Sequence, residues 1–306
     1  MNHTIKYSLV LLTLTWVSCD DQIYPTLEDK DPILVIDAFI DNKSSEQQIT
    51  ISKTQPYFDE TRIVGVDDAI VQVSYGSPAT TVTFTHTEDG VYTYPAGFGQ
   101  VGDDFVLTVS GEGETFTATS RMNRVPVIDS VTFTYDTFSG FGEEEEFYLG
   151  EFWSTDPVGE GDTYWIKAYK NTEFLSQPSE INLAYDAAFG SGNGDGTPFI
   201  QPIRQAVNSF GDDDAEFESP YADGDSLYVE IYSISNEAFE YLQILISNTN
   251  IPGGFGALFA GPLSNTYGNI QNTDESSTEE ALGFFSVSAV EANGKKLDVS
   301  QVPKEE

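Results

Sequence analysis

The chain has 306 residues, with 50 acidic against 13 basic side chains and a formal net charge of -37. A field of that sign repels DNA, RNA and anionic head groups, which excludes nucleic-acid binding, and it attracts divalent cations and cationic partners. Hydrophobic residues at 39% and aromatics at 13% exceed what a disordered chain carries and suffice for about two ordinary domains.

Lys6 precedes an apolar run from Ser8 to Ser18, which ends on Cys19, the single cysteine. A bilayer core takes about 20 apolar residues, so the run is too short to span and fits the core of a secretory signal. The small Ser18 before Cys19 makes residues 1–18 resemble a bacterial lipoprotein signal, with Trp16 standing where a leucine is usual. On that reading cleavage leaves Cys19 as an acylated N-terminus, and two or more acyl chains anchor stably where one does not. The competing reading is an ordinary secretory signal with an incidental cysteine. Asp20 and Asp21 resemble the acidic export signal that sends lipoproteins of Bacteroidota to the outer face of the outer membrane, although a solvated tether has the same composition. Residues 19–31 are expected to form a lipidated tether. With one cysteine no disulfide forms within the chain, and stability must come from packing.

From Pro32 the pattern turns to strands. Pro32–Ile40 is rich in β-branched residues, and Gln48–Lys53, Ala69–Tyr75 and Thr81–His86 alternate apolar with polar residues. Val91–Tyr94 follows a turn at Glu88–Gly90, and Phe105–Ser110 and Thr115–Thr119 flank a hairpin turn at Gly111–Gly113. Seven short strands with frequent turns predict an N-terminal immunoglobulin-like β-sandwich over 32–124. Pro126 marks a boundary. A C-terminal β-rich domain is expected over 125–294, with strands at Ile128–Tyr135, Phe147–Trp153, Thr163–Tyr169, Ser226–Tyr232 and Gly283–Val290. Asp186 to Asp225 shows little regular period. A helix is predicted over 236–248, capped by Ser235 or Asn236, with Ala238, Phe239, Leu242, Leu245 and Ile246 forming one apolar stripe meant for a sheet. Residues 295–306 read as a polar tail. The fold class is therefore mainly β: two sandwich-like (immunoglobulin/fibronectin-like) parts, the second with one packed α-helix.

With these residues in view, the chain resembles a Bacteroidota lipoprotein family catalogued as domain of unknown function 4249. The landmarks are Leu34-Val35, Gly90-Val-Tyr92, Val127-Ile-Asp129, Ile234 to Phe239 with Tyr241-Leu242, Gly268-Asn-Ile270 and Gly283-Phe-Phe-Ser286. The resemblance implies a two-part β-rich lipoprotein, often encoded beside a TonB-dependent outer-membrane transporter, and no established catalytic residues.

The residues give little chemistry to set against this. His86 is the one histidine after residue 18, and sharing a face with Val82 and Phe84 it reads as a core or rim residue. Without a second histidine or a free thiol, Cys–His catalysis and the usual zinc sites are excluded, and no Gly-x-Ser-x-Gly elbow is present. Glu143–Glu146 and Asp212–Asp214 read as solvated loop charge. Ser191–Gly196 starts like an EF-hand loop, but Pro202 stands where the bidentate Glu belongs. Calcium ligands are instead sought among Asp212, Asp213, Asp214, Asp223 and Asp225. Trp153, Tyr164, Trp165 and Tyr169 are weighed as a sugar-stacking platform against the half that alternation sends into the core. Gly253–Phe259 reads as a loop packed over the helix or as an exposed docking patch.

The expected function is a non-enzymatic accessory or ligand-binding partner of a TonB-dependent transporter, facing the cell exterior. The alternatives are a structural or adhesive surface module with calcium-stiffened loops and a carboxylate-based polysaccharide hydrolase. No catalytic or cofactor-binding residue is assigned.

Overall fold

A computed structural model describes residues 31–56, 59, 63–139, 144–209, 219–249 and 266–304. The chain divides into two compact units, one of residues 1–31 with 56–58 and one of the rest. The first lies almost wholly outside the described residues, as do the signal, Cys19, Asp20, Asp21, Asp212–Asp214 and the Gly253–Phe259 loop. Every described strand and helix belongs to the second unit.

The seven expected strands form: β1 (Leu34–Asp41), β2 (Gln47–Lys53), β3 (Ile70–Tyr75), β4 (Thr80–His86), β5 (Val91–Tyr94), β6 (Asp104–Gly111) and β7 (Glu114–Arg121). Their alternation sends Ile36, Ile49, Val73, Phe84, Phe105 and Leu107 into one apolar core. After β8 (Ile128–Ser139) and β9 (Glu144–Ser154) come β10 (Thr163–Lys170), β11 (Glu173–Phe174), β12 (Asn182–Tyr185) and the short α1 (Gln201–Gln205). The chain ends with β13 (Ser226–Ile234), α2 (Asn236–Thr249), β14 (Gln271–Asn272), β15 (Ala281–Ser288) and β16 (Val290–Lys296). The fold is mainly β, with one sizeable helix and sheets in a nearly closed, sandwich- and barrel-like arrangement.

The first sheet runs β14-β7-β6-β3-β4-β5-β2-β1-β15. Strand β4 pairs with β3 up to Phe84 and with β5 from Thr85, so it turns the corner between the two halves of the wall. Two of the nine strands come from the end of the chain. The expected boundary at 124/125 is therefore crossed: β15 pairs in parallel with β1, Leu34 opposite Ala281 through Asp41 opposite Ser288.

Side chains complete the closure of this wall. Asn269 donates to Phe285 O (2.8 Å) and Thr119 O (3.3 Å), and its Oδ1 accepts from Phe285 N (2.9 Å). Its amide thus acts as one residue of a missing strand between β15 and β7. Ser120 Oγ accepts from Val287 N at 3.1 Å beside it. Two glycines allow the approach. A Cβ on Gly283, whose φ is +103°, would lie 2.0 Å from Ile36 O, and one on Gly268 would lie 1.9 Å from Gly283 O.

In the second sheet, β11-β10-β13-β16 with β12 on β10, the β8–β9 hairpin and α1 pack on one face. Tyr164, Ile166, Leu227, Val229, Ile231, Phe152 and Phe199 fill that core. Helix α2 is capped by Ser235, whose Oγ accepts from Ala238 N at 3.2 Å. Ala238, Phe239 and Leu242 bury with Ile234 and Phe284, and Leu245 and Ile246 pack beside them as the stripe predicts.

The segment expected as a polar tail is ordered through residue 304. Leu297 is 1% exposed, its N–H donates to Asp225 O, and Val299 and Val302 pack on the second core. The short apolar period Leu297, Val299, Val302 carries this, and the six charges among residues 295–306 hide it in the sequence.

Candidate functional site

Period-two geometry places β10 and β13 side chains on two faces. Antiparallel register sets Trp165 opposite Tyr232, Lys167 opposite Glu230 and Tyr169 opposite Tyr228. The alternate residues are core, so these six form the other face: an oppositely charged pair between two aromatic pairs.

Glu230 is 5% exposed and is held by three donors. Lys43 Nζ reaches its two oxygens at 3.0 and 3.1 Å, and Tyr232 and Tyr169 hydroxyls donate at 2.7 and 3.1 Å. Burial by itself raises the Glu230 pKa, but the bonds from Tyr232, Lys43 and Tyr169 outweigh it and hold the carboxyl below its ordinary range. Lys43 comes from the β1–β2 turn. Its N–H donates to Asp41 Oδ1 and its carbonyl accepts from Gly97 N, where a Cβ would lie 2.3 Å from that oxygen.

Lys167 lies 3.9 Å from the Trp165 ring centre and 4.0 Å from that of Tyr232. Burial, then Lys43, lowers its pKa to about 8 against the pull of Glu230, Asp41 and Asp37. Burial likewise raises the phenol pKa values of Tyr169 and Tyr232, and the Glu230 charge adds to it.

Beside this cluster opens a groove of about 740 Å³, lined among others by Lys43, Tyr169, Tyr228, Glu230, Lys295 and Lys296. The Tyr228 ring lies across Gly294, where a Cβ would meet its Cδ2 at 2.8 Å, and Tyr228 stays 43% exposed. The Tyr169 ring sits 6.1 Å from Tyr228 and 5.2 Å from Phe174. Neither Lys295 nor Lys296 pairs with an acid among the described residues.

A second cluster joins Asp156, Asp162 and Asp186, whose carboxylate oxygens lie within 4.8 Å of one another. Hard oxygens of this kind suit calcium, but each carboxylate already accepts protein hydrogen bonds. Asp156 takes Tyr164 OH (2.6 Å) and Gly196 N (3.1 Å), Asp186 takes Gly161 N and Asp162 N, and Asp162 takes Arg124 Nε (2.8 Å). Arg124 also donates to the carbonyls of Pro157, Val158 and Gly159, so its guanidinium supplies the positive charge of this loop clasp. Burial raises the Asp156 pKa, partly offset by Tyr164 and Gly196. The Ser191–Gly196 stretch read as an EF-hand start supplies Gly196 to Asp156, and its Asp195 accepts from Gly159 N at 2.6 Å.

Of the other candidates, Asp223 and Asp225 are spent internally. Asp223 accepts from Val299 N, while Asp225 accepts from Ala222 N and Asn171 and lies 3.5 Å from Lys170. His86 sits at the rim, 3.0 Å from Asp67 Oδ1. Of the four weighed aromatics, only Trp165 and Tyr169 share a face. Tyr164 is core, Trp153 carries Arg204 at 4.1 Å over its ring, Trp165 meets Phe39 edge-on, and Tyr169 alone lines the groove. Sequence reasoning missed Lys43, Tyr228, Glu230, Lys295 and Lys296. The mirrored patterns Trp165-Ile-Lys167-Ala-Tyr169 and Tyr228-Val-Glu230-Ile-Tyr232 were the available signal.

No curated protein matches the chain. Residues 20–293 match the family described as Domain of unknown function (DUF4249), and the chain belongs to that family.

Proposed function

We propose that this chain is a non-enzymatic, lipid-anchored ligand-binding protein of the outer-membrane surface, acting as accessory to a TonB-dependent transporter. The observation that carries the binding part is the groove: an aromatic, lysine-lined cleft on a chain with 13 bases against 50 acids. Its volume falls in the range of about 300–1,000 Å³ usual for small-ligand clefts. The anchor rests on the Ser8–Ser18 run ending at Cys19, and the outward placement on Asp20 and Asp21. The transporter rests on what the family resemblance implies.

Two experiments test it. Feeding cells an alkyne-bearing fatty acid labels the wild-type chain and leaves Cys19→Ala unlabelled; equal labelling refutes the anchor. Affinity purification from detergent-solubilised outer membranes brings down a β-barrel transporter; its consistent absence removes the accessory role. A second reading, a calcium-stiffened structural or adhesive module, is favoured by the aspartate trio. Millimolar calcium would raise the melting temperature on that reading, and Arg124 in the clasp argues for no shift.

A further inference from the structure

The ligand class of this groove can be read from its chemistry, and the reading rests on the groove being the binding site. We propose that it takes a short acidic oligosaccharide, bearing carboxylate or sulfate groups, with a sugar ring against Tyr228 and an anionic substituent toward Lys296, whose register opposite Ser226 puts it on the Tyr228 face.

Three observations converge on that class. Of 13 basic residues in the chain, Lys43, Lys295 and Lys296 line this one cleft, and register puts Lys296 on the Tyr228 face, with Lys295 on the face of Leu227. Lys43 is committed to Glu230, whereas Lys295 and Lys296 have no acid partner among the described residues. Among the described residues Glu230 is the one lining carboxylate, and it is buried under its three donors and does not oppose an incoming anion as a free charge.

The second observation is aromatic. Tyr228 is held half-exposed by Gly294, and Tyr169 and Phe174 continue the row at 6.1 and 5.2 Å. Such rings present an apolar face to the C–H surface of a pyranose, and the tyrosines keep a hydroxyl at the edge. Thr172 and Ser226 add hydroxyl groups to the lining.

The third is the net charge, which selects for length. A charge of -37 repels a long polyanion over its whole surface. At physiological salt that repulsion is screened beyond about 8 Å, so a ligand of two or three sugars is governed by the lysines it touches. An extended nucleic acid or a long acidic polymer is not.

The test uses the full chain purified in detergent, with calorimetric titration of trigalacturonate and a sulfated chondroitin disaccharide. Binding of either, weakened about tenfold or more in Lys296→Ala and again in Tyr228→Ala, supports the proposal. These positions are exposed or on an edge strand, and an unchanged melting curve shows that the variants fold. Failure of both sugars to bind, or binding that ignores the substitutions, overturns it. So does equal binding of uncharged maltotriose, or tighter binding of hexa-aspartate that also depends on Lys296, which would assign the groove to an acidic peptide. Transporter co-purification separates this from the broader reading. A barrel retained without sugar binding removes only the ligand class, and sugar binding without a barrel removes only the accessory role.

Discussion

The two sheets of the molecule spend their sequence differently. The nine-stranded wall encloses apolar side chains almost exclusively, and Gln47 is the one polar residue buried among β1–β7. The second sheet and its connections bury Glu151, Asp156, Asp186 and Glu230, each tied to a cation or several donors. Burying an ion costs several kcal/mol unless its partners compensate, so the wall relies on apolar packing and neutral hydrogen bonds while the second sheet gives some stability up to hold charge. The first region is built as support. The second carries the chemistry.

If the wall is support, breaking its closure should give the largest effect. Gly283→Ala forces a side chain to φ +103° and to 2.0 Å from Ile36 O, and is expected to cost about 4 kcal/mol or more in urea unfolding. A loss under about 1 kcal/mol would mean that β15 is not held where the wall closes. Asn269→Ala leaves Phe285 N and O and Thr119 O without their partner; about 2 kcal/mol is expected. Asn269→Asp should rescue little, since it restores the acceptor and neither donor.

The wall and the helix were largely legible in the sequence, and the site was not. Strands β1–β7 show because one face is buried and the other wet, which writes a period of two into the chain. Helix α2 shows because Ser235 caps it and its stripe repeats at helical spacing. The partners of β1 were hidden, since β15 lies over 240 residues away and nothing local sets a parallel register. The groove was hidden for the same reason: Lys43 meets Glu230 across 187 positions, and Lys295 and Lys296 look like a tail. The aspartate trio takes Asp156 and Asp162 from the β9–β10 connection and Asp186 from just after β12, a spacing that matches no metal-binding motif.

On the second sheet the expected effects are smaller and depend on pH. Lys43→Ala removes the cation from Glu230, and about 2 kcal/mol is expected near neutrality, discounted because Lys43 is partly exposed. The Glu230 pKa is lowered on folding from 4.5, so its contribution is present above that value and fades as pH falls through the folded value. The difference between wild type and Lys43→Ala should therefore shrink in acid. A difference that stays constant down to about pH 3 would assign the effect to lost packing instead.

Lys167 works in the opposite sense and gives the finest test. Its pKa falls from 10.5 in the unfolded chain to about 8 in the fold. Between those values the unfolded chain binds more protons, so wild-type stability should climb as pH rises from about 8. Below that, both states carry the charge and the fold bears its full cost, offset in part by the Trp165 and Tyr232 rings. Lys167→Met should therefore be more stable than wild type at pH 7 by about 1 kcal/mol, and flat where wild type climbs. The raised phenol pKa values of Tyr169 and Tyr232 act against folding only above their ordinary value of 10, so melting curves from pH 7 to about 9.5 isolate the lysine. If both proteins respond alike over that span, Lys167 carries no strained charge, and the division of labour between wall and second sheet rests on Glu230 and the clasp alone.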